Sequence, residues 1–173
     1  MAKELRNKNI ILHEPVIGHS GKMLDYYVNV KEAYGDPRTL SMIGDCLMER
    51  IGAEITCAAA RGYGGVPLLP VVGEKALALG RELKLTYIRD MLKGHGIRNM
   101  IDGYKPSEKD GIVILDDVIT TGSNLQETKK ILEETVAPQK ANVVKAIVVI
   151  RRSDVRINIP VEHILTVDEL LQK

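Results

Sequence analysis

Val113-Ile114-Leu115-Asp116-Asp117-Val118-Ile119-Thr120-Thr121-Gly122-Ser123-Asn124 is the stretch that decides the reading of this chain. An apolar run, extended at its start by Ile112, ends in two adjacent carboxylates. A turn of Thr, Thr, Gly and Ser follows, and then an amphipathic helical segment. The run lacks hydrophobic/polar alternation, as expected of a strand buried on both faces of a parallel sheet. Carboxylates at its carboxyl end fall where open α/β sheets bind ligands, and they can accept hydrogen bonds from vicinal hydroxyls. The Thr-Thr-Gly-Ser turn offers hydroxyls and backbone N–H groups at a helix N-terminus, an arrangement suited to an anion. Gly122 permits the positive φ that lets backbone close around a phosphate. The same residues also read as an Asp-rich turn with a Ser or Asn helix cap, which many α/β proteins possess.

Outward from this stretch, strand and helix signals alternate. Asn9 to Leu12 and Tyr26 to Lys31 read as short strands around a polar loop with His19-Ser20-Gly21-Lys22. Asp36-Pro37 caps a helix carrying Leu40, Ile43, Leu47 and Ile51 at helical spacing, stopped by Gly52. Ile55 to Ala60 is the next strand. It runs into a glycine-rich turn, Arg61 to Pro67, and a helix through Leu79. Leu83 to Arg89 is another strand, and Met91 to Lys109 reads as a long mobile loop. After the signature come a helix with Leu125, Leu132 and Val136 on one face, the strand Val143 to Ile150, a short strand near Ile164 and Val167, and a terminal helix. Such alternation predicts right-handed βαβ crossovers and a mainly parallel sheet flanked by helices. One α/β domain over residues 1–173 is expected, with residues 1–35 contributing a small N-terminal cap, or hood.

The chain of 173 residues is 45% hydrophobic, enough for a core, and 24 basic against 23 acidic residues leave a net charge of +1. That balance argues against nucleic acid or membrane as a partner. The charged first nine residues have no apolar core of a secretory signal. Cys46 and Cys57 are read as buried thiols, and a reducing, cytoplasmic setting is expected. His13 and His163 are read as structural. With neither Phe nor Trp present, stacking on a base would fall to one of six Tyr residues.

Arg89-Asp90-Met91-Leu92-Lys93-Gly94-His95-Gly96 places three basic or titratable side chains among glycines just past a strand end. Arg, Lys and His together suit a diphosphate leaving group, with His able to hold a proton near neutrality. Gly94, Gly96 and Gly103 would let the 91–109 segment swing as a lid.

The apolar-Asp-Asp-x-x-Thr-Thr-Gly-Ser run resembles the phosphoribosyl-diphosphate signature of type I phosphoribosyltransferases. Arg-x-x-x-Lys-x-His-Gly at 89–96 and Ser20-Gly21-Lys22-x-x-Asp25-Tyr26-Tyr27 are similar to motifs of the orotate phosphoribosyltransferases, a likeness extending over roughly residues 16 to 170. The resemblance implies transfer of phosphoribose from 5-phosphoribosyl 1-diphosphate to orotate, with Mg²⁺ bound mainly through the diphosphate and ribose and no assured side-chain ligand. It implies catalytic roles for Asp116, Asp117, Lys93 and His95. It implies donor binding by Arg89, Lys93, His95, Tyr63 and Asp116 through Asn124, including Val118 and Ile119. Orotate would be held by Tyr27, Thr120 and Arg152, whose guanidinium would meet the carboxylate. It also implies a homodimer in which the 89–103 loop reaches the neighbouring site. Three positions depart from the family, which usually has Lys or Arg at His19, Lys at Asp90 and, in bacterial members, Lys at Gly64. At about 4 Å and an effective dielectric near 20, each unit charge is worth roughly 4 kcal/mol before screening. Transfer to another base, such as a purine, and a non-catalytic donor sensor are the alternatives.

Overall fold

The computed structural model describes residues 1–12, 16–17, 23–24, 26–89 and 100–172, and of 16–17 and 23–24 the backbone alone. Short helix α1 (Ala2–Asn7) leads into two small antiparallel ladders, β1 (Ile11–Leu12) with β4 (Tyr27–Val28) and β2 (Val16–Ile17) with β3 (Met23–Leu24). Helices α2 (Lys31–Tyr34) and α3 (Pro37–Met48) follow. Then come β5 (Cys57–Arg61), α4 (Gly62–Gly65), α5 (Leu68–Ala78), β6 (Lys84–Ile88) and β7 (Ile101–Gly103). The chain continues through β8 (Gly111–Ile119), α6 (Ser123–Val136), β9 (Asn142–Arg151), β10 (Val161–Thr166) and α7 (Val167–Leu171).

Six strands form the central sheet in the order β10-β9-β8-β5-β6-β7, parallel except for β7, which runs antiparallel to β6. The mainly parallel α/β architecture expected from the sequence is therefore present. Its strands lack alternation because both faces are covered. Val113 and Leu115 of β8, Ala58 and Ala60 of β5, and Ile147 and Val149 of β9 pack with Ile43 and Leu47 of α3 and Leu69 and Val72 of α5. Their neighbours Ile112, Ile114, Cys57, Ala59, Ala146 and Val148 join Leu125, Ile131 and Leu132 of α6 on the other face. The three successive alanines of β5 leave little side chain on either face, so helices approach the sheet closely there.

From β5 the chain steps to β6 on one side, while β8, β9 and β10 are added on the other. The crevice between the carboxyl ends of β5 and β8 is thus the topological switch point of the sheet. β5 stops pairing with β8 at Ala60 opposite Leu115, whereas β8 stays paired to β9 as far as Ile119 opposite Arg151. Asp116 to Ile119 therefore project past β5 along one wall of the crevice.

Several sequence expectations are corrected. The strand read over Tyr26 to Lys31 is only Tyr27–Val28, because the chain turns at Asn29, whose carbonyl accepts the Glu32 N–H and whose side-chain amide donates to Glu32 Oε1. The 61–67 turn contains a helical turn, α4. The two carboxylates stand at the carboxyl end of the strand, as read, and β8 continues past them to Ile119.

The long loop read over Met91 to Lys109 is not a loop in its second half. Ile101–Gly103 pair with β6, and the turn that follows is fastened by buried Asp110. Asp110 accepts from Thr56 Oγ1 (2.9 Å), Tyr104 OH (2.9 Å), and the Ser107 N–H and hydroxyl (2.9 Å each). Burial pushes this carboxyl up, but the donors outweigh it and hold it down at about 2. A depressed folded-state pKa gives stability that is complete above the unfolded value near 4 and lost as pH falls toward 2. Asp110→Asn is expected to cost about 1–3 kcal/mol in denaturant titration at neutral pH, with a smaller loss at pH 2. An equal loss at both pH values would contradict this.

Candidate active site

At the carboxyl end of β8, beside the switch point, lies a cavity of about 460 Å³. Its walls come from β4 and α2 (Tyr27, Val28, Lys31), the end of β8 and the turn after it (Asp116 to Asn124), α6 (Leu125, Glu127) and the end of β9 (Arg152). The sequence-predicted residues brought together are therefore Tyr27, Asp116, Asp117, Val118, Ile119, Thr120, Thr121, Gly122, Ser123, Asn124 and Arg152.

Both carboxylates are held in fixed directions. Asp116 Oδ1 accepts the Asp117 N–H at 3.0 Å, and Asp116 Oδ2 accepts from the Asn124 side-chain amide at 2.7 Å. Asp117 Oδ1 accepts the Val118 N–H at 2.8 Å, and Lys31 Nζ donates to Asp117 Oδ2 at 3.1 Å. Asp116 is the more deeply buried of the two. Burial and the adjacent Asp117 charge raise its carboxyl well above the usual range, outweighing the bonds from Asn124 and the Asp117 N–H. One carboxyl that holds its proton readily beside one that is paired with a cation gives two unlike hydrogen-bonding groups at one sugar-sized site.

Gly122 adopts φ +79°, and an added Cβ there would stand 2.8 Å from Ile157 Cγ2. It is itself the N-cap of α6 and offers no side-chain cap, and among the described residues the one side chain on the helix's first N–H is the Thr121 hydroxyl, 3.4 Å from the Ser123 N–H. The Ser or Asn cap permitted by the sequence does not form. Asn124 instead buttresses Asp116, while the Thr121 and Ser123 hydroxyls bond to each other at 3.0 Å. An uncapped N-terminus of a 14-residue helix, ringed by hydroxyls, favours an anion.

At the end of β9, the Arg152 guanidinium lies 4.5 Å from the centre of the Tyr26 ring, a cation–π contact that orients it. Its backbone N–H donates to the Ile119 carbonyl at 3.1 Å, fixing β9 to the signature strand. Tyr26 packs on the core, while Tyr27 and Val28 line the cavity.

Other predicted residues stand apart from this cavity. Tyr63 is 87% exposed on α4 and does not line it. Arg89 is exposed and held by Asp102 through Nε–Oδ2 (2.5 Å) and Nη2–Oδ1 (2.7 Å), a pair between β6 and β7 that its sequence neighbours gave no sign of. Lys93, His95 and Asp90, together with His19 to Lys22 and His13, lie outside the described residues. Of the two cysteines, Cys57 is buried and Cys46 half-buried.

One residue of the site was not anticipated: Lys31 was read as the end of a strand. The contact between Arg152 and the Tyr26 ring likewise has no sign in the sequence. Gly64 also gains a reason. A Cβ there would lie 2.3 Å from Asp117 Oδ1, inside any tolerable contact. Because Asp117 is anchored at both oxygens, Gly64→Ala is expected to push the carboxylate aside. Calorimetric affinity for phosphoribosyl diphosphate should fall about tenfold, the loss of roughly one good charge-assisted hydrogen bond. Unchanged affinity would show that Asp117 has room to move.

None of the known protein-family models matches the chain. Curated relatives do. Orotate phosphoribosyltransferase of Methanopyrus kandleri is 34% identical over 135 residues, covering 78% of this chain and 67% of that protein. The chain belongs to the orotate phosphoribosyltransferase family. The enzyme of that name from Methanocaldococcus jannaschii is 31% identical over 115 residues, 66% of this chain. That match spans only 62% of the M. jannaschii protein, and the match to the Thermococcus gammatolerans enzyme only 59% of its length. Among solved orotate phosphoribosyltransferases, the fold superposes on the Mycobacterium tuberculosis enzyme in complex with 5-phospho-alpha-D-ribosyl 1-diphosphate. The TM-score is 0.76 at 17% identity, covering 99% of this chain and 96% of that one. The family's fold is thus present over nearly the whole chain.

Proposed function

We propose that this protein transfers phosphoribose from 5-phosphoribosyl 1-diphosphate to orotate, giving orotidine 5'-phosphate and diphosphate, as its family relatives are named for doing. The observation that carries the reading is the convergence, in one cavity, of a fixed carboxylate pair, an uncapped helix N-terminus and an oriented arginine. The C1–oxygen bond to diphosphate breaks with its electron pair leaving on oxygen, and the base nitrogen, which gives up its N–H proton to solvent, supplies the pair for the new C1–N bond. Positive charge develops on the ribose ring between the two events. A protein catalyses such a step mainly by positioning and by placing charge.

The N–H groups and hydroxyls of Thr120 to Asn124 hold the 5-phosphate. Asp116 and Asp117 take the ribose hydroxyls and favour the charge on the ring. Arg152 pairs with the orotate carboxylate, and Tyr27 packs on the base. Lys93 and His95, with Arg89 and Tyr63, would serve the departing diphosphate, Lys93 by charge and His95 by lending a proton.

Among the described residues no group of three or more His, Cys, Asp or Glu side chains comes together to hold a metal ion. The four oxygens of Asp116 and Asp117 already accept hydrogen bonds from the protein. This donor set suits a Mg²⁺ ion that arrives on the diphosphate and ribose oxygens, where it would neutralise leaving-group charge. No helix among the described residues is long and apolar enough to cross a membrane. We propose a cytoplasmic homodimer in which the 89–103 segment serves the partner's site.

Incubation with phosphoribosyl diphosphate, orotate and Mg²⁺ should form orotidine 5'-phosphate, and a chelator should stop it. Donor binding without product would rule out the transferase reading. Product formation that is indifferent to the chelator would rule out the role given to Mg²⁺.

A further inference from the structure

The one-turn helix α2 packs over the mouth of the switch-point crevice and touches it at two places. Lys31, on its first residue, reaches Asp117 Oδ2 at 3.1 Å. Tyr34, three residues on and therefore on the same side of the turn, donates its hydroxyl to the Gly64 carbonyl at 2.9 Å. The two contacts grip both walls, the carboxylate-bearing end of β8 and the glycine turn after β5. Gly64 in turn lies so close to Asp117 that no side chain fits between them.

We infer that Lys31 is a positioning residue of the phosphoribosyl site, holding Asp117 in place for the ribose hydroxyls. This rests on the proposed transferase reading and adds to it a residue that neither the sequence motifs nor the family resemblance marks. Asp117 sits next to a second, more deeply buried carboxylate, and two adjacent carboxylates repel. Around Asp117 stand Asp116 from its own strand, Lys31 and Tyr34 from α2, Tyr27 from β4, Glu127 from α6 and Arg152 from β9. Of the two cations, Arg152 lies over the Tyr26 ring. Glu127 is paired with Arg61. Among the described residues, Lys31 is the cation in hydrogen-bonding contact with the pair. Burial lowers its own basicity, but the Asp117 charge outweighs this and raises it, so Lys31 stays charged across the physiological range.

An exposed ion pair contributes little to stability. Here one partner is only 13% exposed while the lysine is 37% exposed, so the bond's main consequence is the direction of the carboxylate rather than the stability of the fold. Asp117 Oδ1 is held by backbone, Lys31 fixes the second oxygen, and the residue lines the cavity. The lysine thus does locally what a cation on residue 64 has no room to do.

The test is titration calorimetry of phosphoribosyl diphosphate with Mg²⁺, alongside steady-state kinetics, for the parent, Lys31→Met, Lys31→Arg and Tyr34→Phe. Lys31→Met should weaken donor binding and raise donor KM by about tenfold, with orotate KM within about twofold and an unchanged denaturation midpoint. Lys31→Arg should restore most of the affinity, because the contact needs charge and reach. Tyr34→Phe should give a smaller loss in the same direction. Three results would overturn the inference: donor affinity unaffected by Lys31→Met, a rise confined to orotate KM, or a loss that tracks a lowered midpoint and is not rescued by Arg. Donor calorimetry reads Lys31 even if the parent turns over no base, so failure of the transferase reading is seen separately in the parent's kinetics.

Discussion

Asp117→Asn should lower kcat/KM by about a hundred- to a thousandfold, the range seen when one preorganised electrostatic group is removed from a transition-state site. Asparagine keeps the shape and the bond from the Val118 N–H. It removes the charge that faces the developing positive ribose, and it leaves Lys31 beside a neutral amide. The variant should also shift the pH profile in a defined direction. Burial is the first cause of the raised Asp116 carboxyl and the Asp117 charge the second. Deleting that charge brings the Asp116 pKa down, so the acid limb of kcat/KM should move to lower pH. An acid limb that stays in place would mean that Asp116 does not titrate in the reaction.

The second large effect concerns the base. Arg152→Ala should raise orotate KM about ten- to a hundredfold, the equivalent of roughly 1.5–3 kcal/mol for a lost charge-assisted pair. Calorimetric affinity for phosphoribosyl diphosphate should stay nearly unchanged. The separation follows from geometry. Arg152 stands just past the end of β9 against the Tyr26 ring, whereas the ribose carboxylates and the anion-binding turn stand on β8 and the start of α6. If donor affinity falls as much as orotate affinity, Arg152 serves the donor and the base is recognised elsewhere.

Most of the fold is legible in the sequence because its period and punctuation are local properties. The strand through Ile112 to Leu115 announces itself by an apolar run without alternation, and α3 by Asp36-Pro37 and the spacing of Leu40, Ile43 and Leu47. The signature turn is legible for the same reason, since its phosphate chemistry is contiguous. Pairings between distant elements are less so. The strand Ile101–Gly103 is three residues long, and its place depends on β6 and on Asp110 gathering Thr56, Tyr104 and Ser107. Its glycine and charges suggested a loop because nothing local signals the partner strand. Arg89 was grouped with Lys93 and His95 by proximity along the chain, yet its partner is Asp102, thirteen residues on. Lys31 shows the converse. It has no motif around it and gains a candidate role only because a one-turn helix folds across a carboxylate 86 residues away. Gly64, a departure from bacterial relatives on sequence grounds, has a steric explanation in the position of Asp117.

The most direct test is a side-by-side measurement of kcat/KM for orotate, adenine, hypoxanthine and guanine with saturating phosphoribosyl diphosphate and Mg²⁺, following diphosphate release. Orotate carries the carboxylate that Arg152 is placed to meet, so it should be turned over with kcat/KM at least about a hundredfold above any purine. Turnover of a purine in preference to orotate, or tight donor binding with no turnover of any base, would contradict the account.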